Sequence, residues 1–355
     1  MSSRQTCVVF RSFLISSAIL VAASTTGCSF AATPAQRTSG STVVNPSRPM
    51  DPSKCALSQP QTVRPPALAV RISRIEKGAL VLVNVCIDGA GPFPFVIDSG
   101  SSFSVVGQQF SRRFHLHQVG AKQQAAGIAC SASVVPEQLS SWSVGGVALR
   151  PQVVFGASLP NLEPNQPLAG VIGSDVLSRF GSVRIDYTKD TVNVGAAESG
   201  SPTVDGVVRG STSTPAPPPF KEGIRAQAEL TIVARRGGVV PYVPMTFGGS
   251  GPQLLVVDTG AAVSSISSLL ARSLHLQNAH QRIELPAAFG CPANLAEVRS
   301  GRWTLGSTSL PPQVVASLPV SALRIAGLLG SDVLSRFGAV VIDYRAARIL
   351  LESGA

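Results

Sequence analysis

An all-β molecule built from two similar lobes is the fold class this sequence predicts, and three observations predict it. The first is a doubled motif: Val96-Ile97-Asp98-Ser99-Gly100-Ser101 returns 160 residues later as Val256-Val257-Asp258-Thr259-Gly260-Ala261. The second is that repetition extends well beyond the motif. Asp88–Gly91 precedes the first copy as Gly248–Gly251 precedes the second, each reading as a hairpin turn. His115-Leu116 matches His275-Leu276, Trp142 matches Trp303, and Pro151–Val154 matches Pro312–Val315. Gly173–Gly181 is identical to Gly330–Gly338, and Ile-Asp-Tyr closes both copies at Asp186 and Asp343. A duplicated unit of about 120 residues implies two lobes with approximate two-fold symmetry, not a solenoid of short repeats. The third is composition: 33 Gly, 27 Pro and 5% aromatic residues favour many short strands and turns over a helix bundle.

Along the chain, residues 1–27 read as a lipoprotein signal peptide. Arg4 and Arg11 lie about a polar start, and Ser12–Ala23 is an apolar run too short to span a bilayer comfortably. It ends in Thr25-Thr26-Gly27-Cys28, which resembles a bacterial lipobox with Cys28 as the residue to be lipidated; Thr25 stands where Leu is usual. Cleavage of an ordinary signal after Ala31 is the alternative. Residues 28–66 are rich in Ser, Thr and Pro and form a tether, spanning about 35 Å as a random coil. Lobe 1 occupies 67–196, with strand-like alternation in Leu68–Ile72 and Val81–Ile87 and a short helix over Gln108–Phe114. A Pro-rich linker, 197–224, leads to lobe 2 at 225–352. The expected location is therefore the bacterial cell envelope, as an exported protein anchored to a membrane by its N-terminal lipid. The net charge of +10 comes from scattered Arg without a dense basic run, which suits an anionic envelope surface and argues against nucleic-acid binding.

Two apolar residues followed by Asp, a hydroxyl residue and Gly describe a buried strand that delivers a carboxylate at its end, where Gly permits a sharp turn. These motifs, Gly91-Pro92-Phe93-Pro94-Phe95-Val96-Ile97-Asp98-Ser99-Gly100-Ser101 and Val256–Ala261, precede the apolar-apolar-Gly elements Val171-Ile172-Gly173 and Leu328-Leu329-Gly330. In that order they resemble the bacterial retropepsin-like aspartic proteases, over roughly 67–196 and 225–352. The resemblance implies two retropepsin-like β-barrel lobes forming a pepsin-like pseudo-dimer within one chain, expected to be a monomer. It implies an aspartic endopeptidase acting on extended polypeptides, with Asp98 and Asp258 as the catalytic pair and no cofactor or metal. Two adjacent carboxylates cannot both ionise easily, so they share a proton; one member activates water while the other protonates the leaving nitrogen.

The same resemblance assigns the bracing of the dyad to Ser99, Gly100, Thr259 and Gly260, with the two hydroxyls bonding across the lobes. Ser101 has no counterpart hydroxyl, since Ala261 takes its place, and is expected to donate to Asp98 and favour its ionised form. Gly127 and Gly290 fall where the family carries its substrate-covering flap, or are plain hairpin tips. Asp175 and Asp332 begin Asp-Val-Leu-Ser-Arg-Phe and read as caps of a short helix, with Ser174 and Ser331 where retroviral relatives often have Arg. Asp186 and Asp343 read as structural, Trp142 and Trp303 as core anchors. His115 and His275 lack zinc-site spacing and read as packing or surface residues.

Outside the leader and Cys28, four cysteines remain: Cys55, Cys86, Cys130 and Cys291. Export implies an oxidising compartment. If both lobes carry flaps, symmetry brings Cys130 and Cys291 together over the dyad, where a bridge would restrict flap opening. Unbonded small buried residues and a Cys55–Cys291 link remain open. Rivals to the enzyme are a catalytically inactive peptide-binding envelope lipoprotein on the same fold and separable lobes that pair with other chains.

Replacing Cys28→Ala is expected to abolish lipid labelling of the mature protein. An unmodified N-terminus at Ala32, read by mass spectrometry of the native protein, would instead establish ordinary signal cleavage.

Overall fold

The computed structural model describes residues 20–21, 55, 67–68, 70–75, 77–128, 130–163, 166–195, 206–209, 224–286, 288–319 and 325–353. The signal peptide (1–27) apart from residues 20–21, the tether with Cys28 apart from Cys55, and most of the 197–224 linker lie outside the described residues. Within that linker, Gly206–Arg209 is a strand paired antiparallel with Thr231–Arg235. Leu20–Val21 pairs with the edge strand Gln123–Ala126.

Each lobe is a twisted sheet folded around the strand that carries its Asp. In lobe 1, Ala79–Ile87 turns into Ala90–Ile97 through Asp88 and Gly89, both left-handed (φ 51° and 75°), as a two-residue hairpin requires. Lobe 2 repeats the strand pair with Gly238–Phe247 and Gln253–Val257, joined by the longer turn 248–252. Each Asp-bearing strand also pairs in parallel with the apolar-apolar-Gly strand: Val96 lies beside Val171 and Ile97 beside Ile172, as Val256 lies beside Leu328 and Val257 beside Leu329. All eight residues are buried, as continuous apolar runs in a doubly covered parallel pair should be. A methyl group at Gly170 would meet the Phe95 ring at 2.0 Å, so this crossing is possible only for glycine.

The lobes are joined by a six-stranded sheet in the order Ile224–Glu229, Arg348–Glu352, Ala339–Asp343, Ser182–Asp186, Thr191–Val194, Ala67–Leu68. Its central pair takes one Ile-Asp strand from each lobe, with Ser182 opposite Asp343 and Asp186 opposite Ala339. Arg184 of lobe 1 bridges its own Asp186 (3.0 Å) and Glu352 of lobe 2 (2.8 Å). The two lobes thus complete one another's sheet within a single chain. This all-β, two-lobed architecture is the fold class the duplication predicts.

Smaller expectations resolve locally. The helix read over Gln108–Phe114 spans Gln108–Arg113, and its counterpart is Ser268–Ser273. His115 and His275 follow these helices, exposed and left-handed (φ 49° and 50°), so they close the helices at the surface. Trp142 and Trp303 are buried, each indole N–H donating to a main-chain carbonyl, of Arg150 and Pro311.

The helix-cap reading of Asp175 and Asp332 is corrected. The cap positions of helices Ser174–Leu177 and Ser331–Leu334 are Gly173 and Gly330, and the acids sit one residue inside the helices. Their carboxylates reach to neighbouring segments instead. Asp175 accepts from Ser104 Oγ (2.8 Å) and Gln152 Nε2 (3.2 Å); Asp332 accepts from Ser264 N and Oγ (2.8 and 2.6 Å) and Gln313 Nε2 (2.9 Å). The Ser104 and Ser264 hydroxyls also accept from the Gly173 and Gly330 N–H groups. Each acid therefore fastens the apolar-apolar-Gly strand to the loop after the Asp motif.

Burial pushes the Asp332 carboxyl up to about 6, against the hydrogen bonds that favour its charge. An acid with a raised folded pKa stabilises the fold fully below its ordinary value near 4, and that contribution is lost as pH rises through 6. The urea midpoint is expected to fall between about pH 4 and pH 7, and Asp332→Asn to flatten the fall. A midpoint that rises across this window in the native chain would contradict this assignment.

Candidate active site

Both Asp loops meet at the centre of the molecule, and hydrogen bonds between lobes fix them there. The Ser99 N–H donates to Thr259 Oγ1 (3.0 Å), whose hydroxyl donates to the Ile97 carbonyl (2.9 Å). Reciprocally, the Thr259 N–H donates to Ser99 Oγ (3.1 Å), whose hydroxyl donates to the Val257 carbonyl (2.7 Å). Every hydroxyl is thus both donor and acceptor, and four main-chain groups in a fully buried place are satisfied.

The carboxylates are held by their own loops in matching ways. Asp98 Oδ1 accepts from the N–H groups of Gly100 (2.9 Å) and Ser101 (3.0 Å); Asp258 Oδ1 accepts from Gly260 (3.0 Å) and Ala261 (2.8 Å). Each carboxyl then lies against the glycine of the opposite lobe. A Cβ at Gly100 would stand 2.4 Å from Asp258 Cγ, and one at Gly260 would stand 2.5 Å from Asp98 Cγ. The glycines are required by this close approach. Apart from one another, Asp98 Oδ2 and Asp258 Oδ2, both buried, take no hydrogen bond from the described residues.

Both acids are fully shielded from solvent. Burial raises the Asp98 carboxyl well above the usual carboxylate range, and the neighbouring Asp258 raises it further. Burial raises Asp258 as well, opposed by hydrogen bonding from Asp98. The direction follows from two negative charges side by side in a dry place: the pair retains a proton.

Ser101 is corrected. Its hydroxyl donates to the Phe103 carbonyl (2.7 Å), while only its main-chain N–H serves Asp98. Ala261 offers the same N–H to Asp258, so the Ser/Ala difference does not tune the pair. What distinguishes the loops is a contact the sequence reading missed. Tyr344, from the last hairpin of lobe 2, shares a 2.7 Å hydrogen bond with Ser174 Oγ, which donates to the Ser99 carbonyl (2.8 Å). The equivalent Ser331 accepts from the Ala79 N–H and donates to the Ala261 carbonyl, and the buried Tyr187 hydroxyl has no partner among the described residues. The serines standing where relatives carry Arg were the available signal.

Over the acids lie two hairpins. Flap 1 joins Gln123–Ala126 to Ser131–Leu139, and flap 2 joins Asn278–Pro286 to Pro292–Arg299. Gly127 and Gly290 fall at their tips, the Gly127 N–H donating to the Cys130 carbonyl (2.8 Å). Cys130 and Cys291 are disulfide-bonded between the tips, with Cα atoms 6.4 Å apart. Cys55 is bonded to Cys86, tying that end of the tether to lobe 1 and setting aside the Cys55–Cys291 alternative. Lys77 reaches from lobe 1 to the buried Glu297 of flap 2 (2.6 Å). Among the described residues no group of three His, Cys, Asp or Glu side chains is placed to hold a metal ion.

No curated protein matches the chain. A family model described as aspartyl protease matches it twice, over residues 83–176 and 243–333. Each match contains one Asp motif, one flap and one apolar-apolar-Gly strand, the three elements that the geometry brings together in each lobe. The chain belongs to the aspartyl protease family, as an internally duplicated, retropepsin-like member.

Proposed function

We propose that the protein is an aspartic endopeptidase that hydrolyses extended polypeptides, with Asp98 and Asp258 as its catalytic pair. The observation that carries this reading is the pair itself: two buried carboxyls from symmetry-related loops, each seated on the other's glycine, with one oxygen apiece that has no donor among the described residues except the other acid. A binding protein has no need to keep two unscreened acids in contact at the cost of their desolvation.

The chemistry follows from the shared proton. The ionised member takes a proton from a water placed between the carboxyls, and that oxygen attacks the scissile carbonyl carbon. The neutral member stabilises the developing oxyanion, and proton return to the nitrogen lets the C–N bond break. The Ser99/Thr259 network holds both loops still, so the carboxyls need not reorganise during the reaction. A substrate in extended form would pair its backbone with the flap strands, and the apolar floor would take its side chains. The lipidation reading of Cys28 complements this: it would place the enzyme on a bacterial envelope membrane, acting on polypeptides there.

Asp98→Asn and Asp258→Asn are each expected to lower peptide hydrolysis by about a thousandfold or more while leaving the thermal transition in place. A casein or peptide-library assay on the mature protein checks this, with the dithiol-treated protein included. Either single variant retaining near-native turnover would contradict the paired mechanism. Wild-type protein that binds peptide without cleaving it would make the protein a binder.

The pH profile gives a second check. Both carboxyls are raised above their usual range and Asp98 is raised further by the charge of Asp258, so the shared proton is expected to be lost, and kcat/KM to fall, only well above the ordinary carboxylate range. A basic limb near pH 4, the ordinary range, would contradict the buried, proton-sharing pair.

A further inference from the structure

The flap tips do more than cover the acids. Ile128 at the tip of flap 1 is 1% exposed and belongs to a buried apolar cluster otherwise drawn mainly from lobe 2, with Val240, Val256, Leu295 and Leu328 among its members. Phe289 at the tip of flap 2 is 6% exposed and belongs to a buried apolar cluster otherwise drawn from lobe 1, with Leu80, Val96, Phe155 and Val171 among its members. The two residues are repeat equivalents, 161 apart, and so are the wells: Leu80 corresponds to Val240, Val96 to Val256 and Val171 to Leu328. Each lobe's tip therefore fills the same well in the other lobe.

These wells adjoin the acids. Val96 and Val256 lie two residues before Asp98 and Asp258, so they face the same side of their strands as the carboxyls. Ala261 and Ala262, just after the second motif, belong to the cluster that holds Ile128. Phe289 is held with a left-handed backbone (φ 65°), uncommon for an aromatic residue, at the place where its ring enters lobe 1. The Cys130–Cys291 bond lies two residues beyond each of these side chains and ties the crossed tips together. With the tips in place, both acids are fully shielded.

We propose that Ile128 and Phe289 occupy the two wells that receive the substrate side chains flanking the scissile bond, and that the Cys130–Cys291 disulfide holds them there, keeping the oxidised protein latent. This rests on the endopeptidase reading for what the open cleft does, but not for whether the cleft is shut. A dithiol reductant opens it: the reductant's two thiols become a disulfide, and Cys130 and Cys291 take up the two electrons and two protons as thiols. Both cysteines are only partly buried, so a thiolate can reach the bond. The present occupants also specify the preferred substrate, with an aromatic side chain for the lobe 1 well and a branched aliphatic one for the lobe 2 well.

Two readouts on the full mature chain separate the latch from the chemistry. The first is binding, by fluorescence anisotropy, of a labelled extended peptide with adjacent Phe and Ile, measured on the Asp98→Asn chain so that no cleavage intervenes. Adding Cys130→Ser and Cys291→Ser to that chain is expected to tighten binding about tenfold or more, relative to a peptide with Ala at both positions. Unchanged binding, or equal gains for both peptides, overturns the proposal. The second is turnover of the same peptide by chains with both acids intact. The double serine variant should cleave it without reductant, and the native chain should approach that rate only after dithiol treatment. Equal rates before and after reduction overturn the latch while leaving the endopeptidase reading standing. Gated binding without any turnover leaves the latch standing and ends the endopeptidase reading.

Discussion

The reciprocal bonding of Ser99 and Thr259 is the interaction on which the rest of this structure depends. Each lobe by itself could fold its Asp strand, its turn and its parallel partner strand. Alone, each would leave the hydroxyl, the N–H of the same residue and the carbonyl before the Asp with no partner in a place closed to water. Buried polar groups without partners cost roughly 1–3 kcal/mol each, so the two lobes are held to one relative position in which all are paired. The six-stranded sheet on the far side fixes the same relation with main-chain bonds and the Arg184–Glu352 contact. The approximate two-fold relation of the repeats holds in both places and exchanges the two acids.

That position makes an unfavourable electrostatic arrangement persist. Among the described residues neither carboxyl makes an ion pair; each is steadied by two main-chain N–H groups on one oxygen, and the two acids bond one another. Desolvation then favours retention of a proton, and the fold supplies the rigidity that prevents the acids from separating. The flaps strengthen the effect by excluding water. With Ile128 and Phe289 seated in the apolar clusters beside the two Asp strands, both acids are fully shielded, and cavities of about 410 and 510 Å³ open in lobe 2 beside Arg336 and His275.

The sequence was most informative where a local pattern dictates a local geometry. An apolar pair ending in Asp–Ser/Thr–Gly specifies a buried strand and a turn, and its duplication specifies two lobes; Asp88-Gly89 specifies a hairpin through its left-handed backbone. It was least informative where a side chain chooses among partners distant in the chain. Ser101 turns to the Phe103 carbonyl because the loop already delivers its N–H to Asp98. Asp175 and Asp332 face Gln152, Gln313 and the loop serines, none of which lies in the helix whose spacing suggested a cap. The family resemblance placed Gly127 and Gly290, beside Ile128 and Phe289, at the flap tips, but only the crossing of the hairpins reveals that each apolar neighbour is buried with the opposite lobe.

The central claim is that Asp98 and Asp258 act as one proton-sharing unit. A titration of carboxyl-labelled aspartate, followed by carbon NMR with assignments from the two Asn variants, tests it most directly. The account predicts that the two resonances titrate together, with one proton bound well above the ordinary carboxylate range, and that removing either acid changes the titration of the other. Two independent titrations near pH 4, each unaffected by substitution of the other residue, would contradict it.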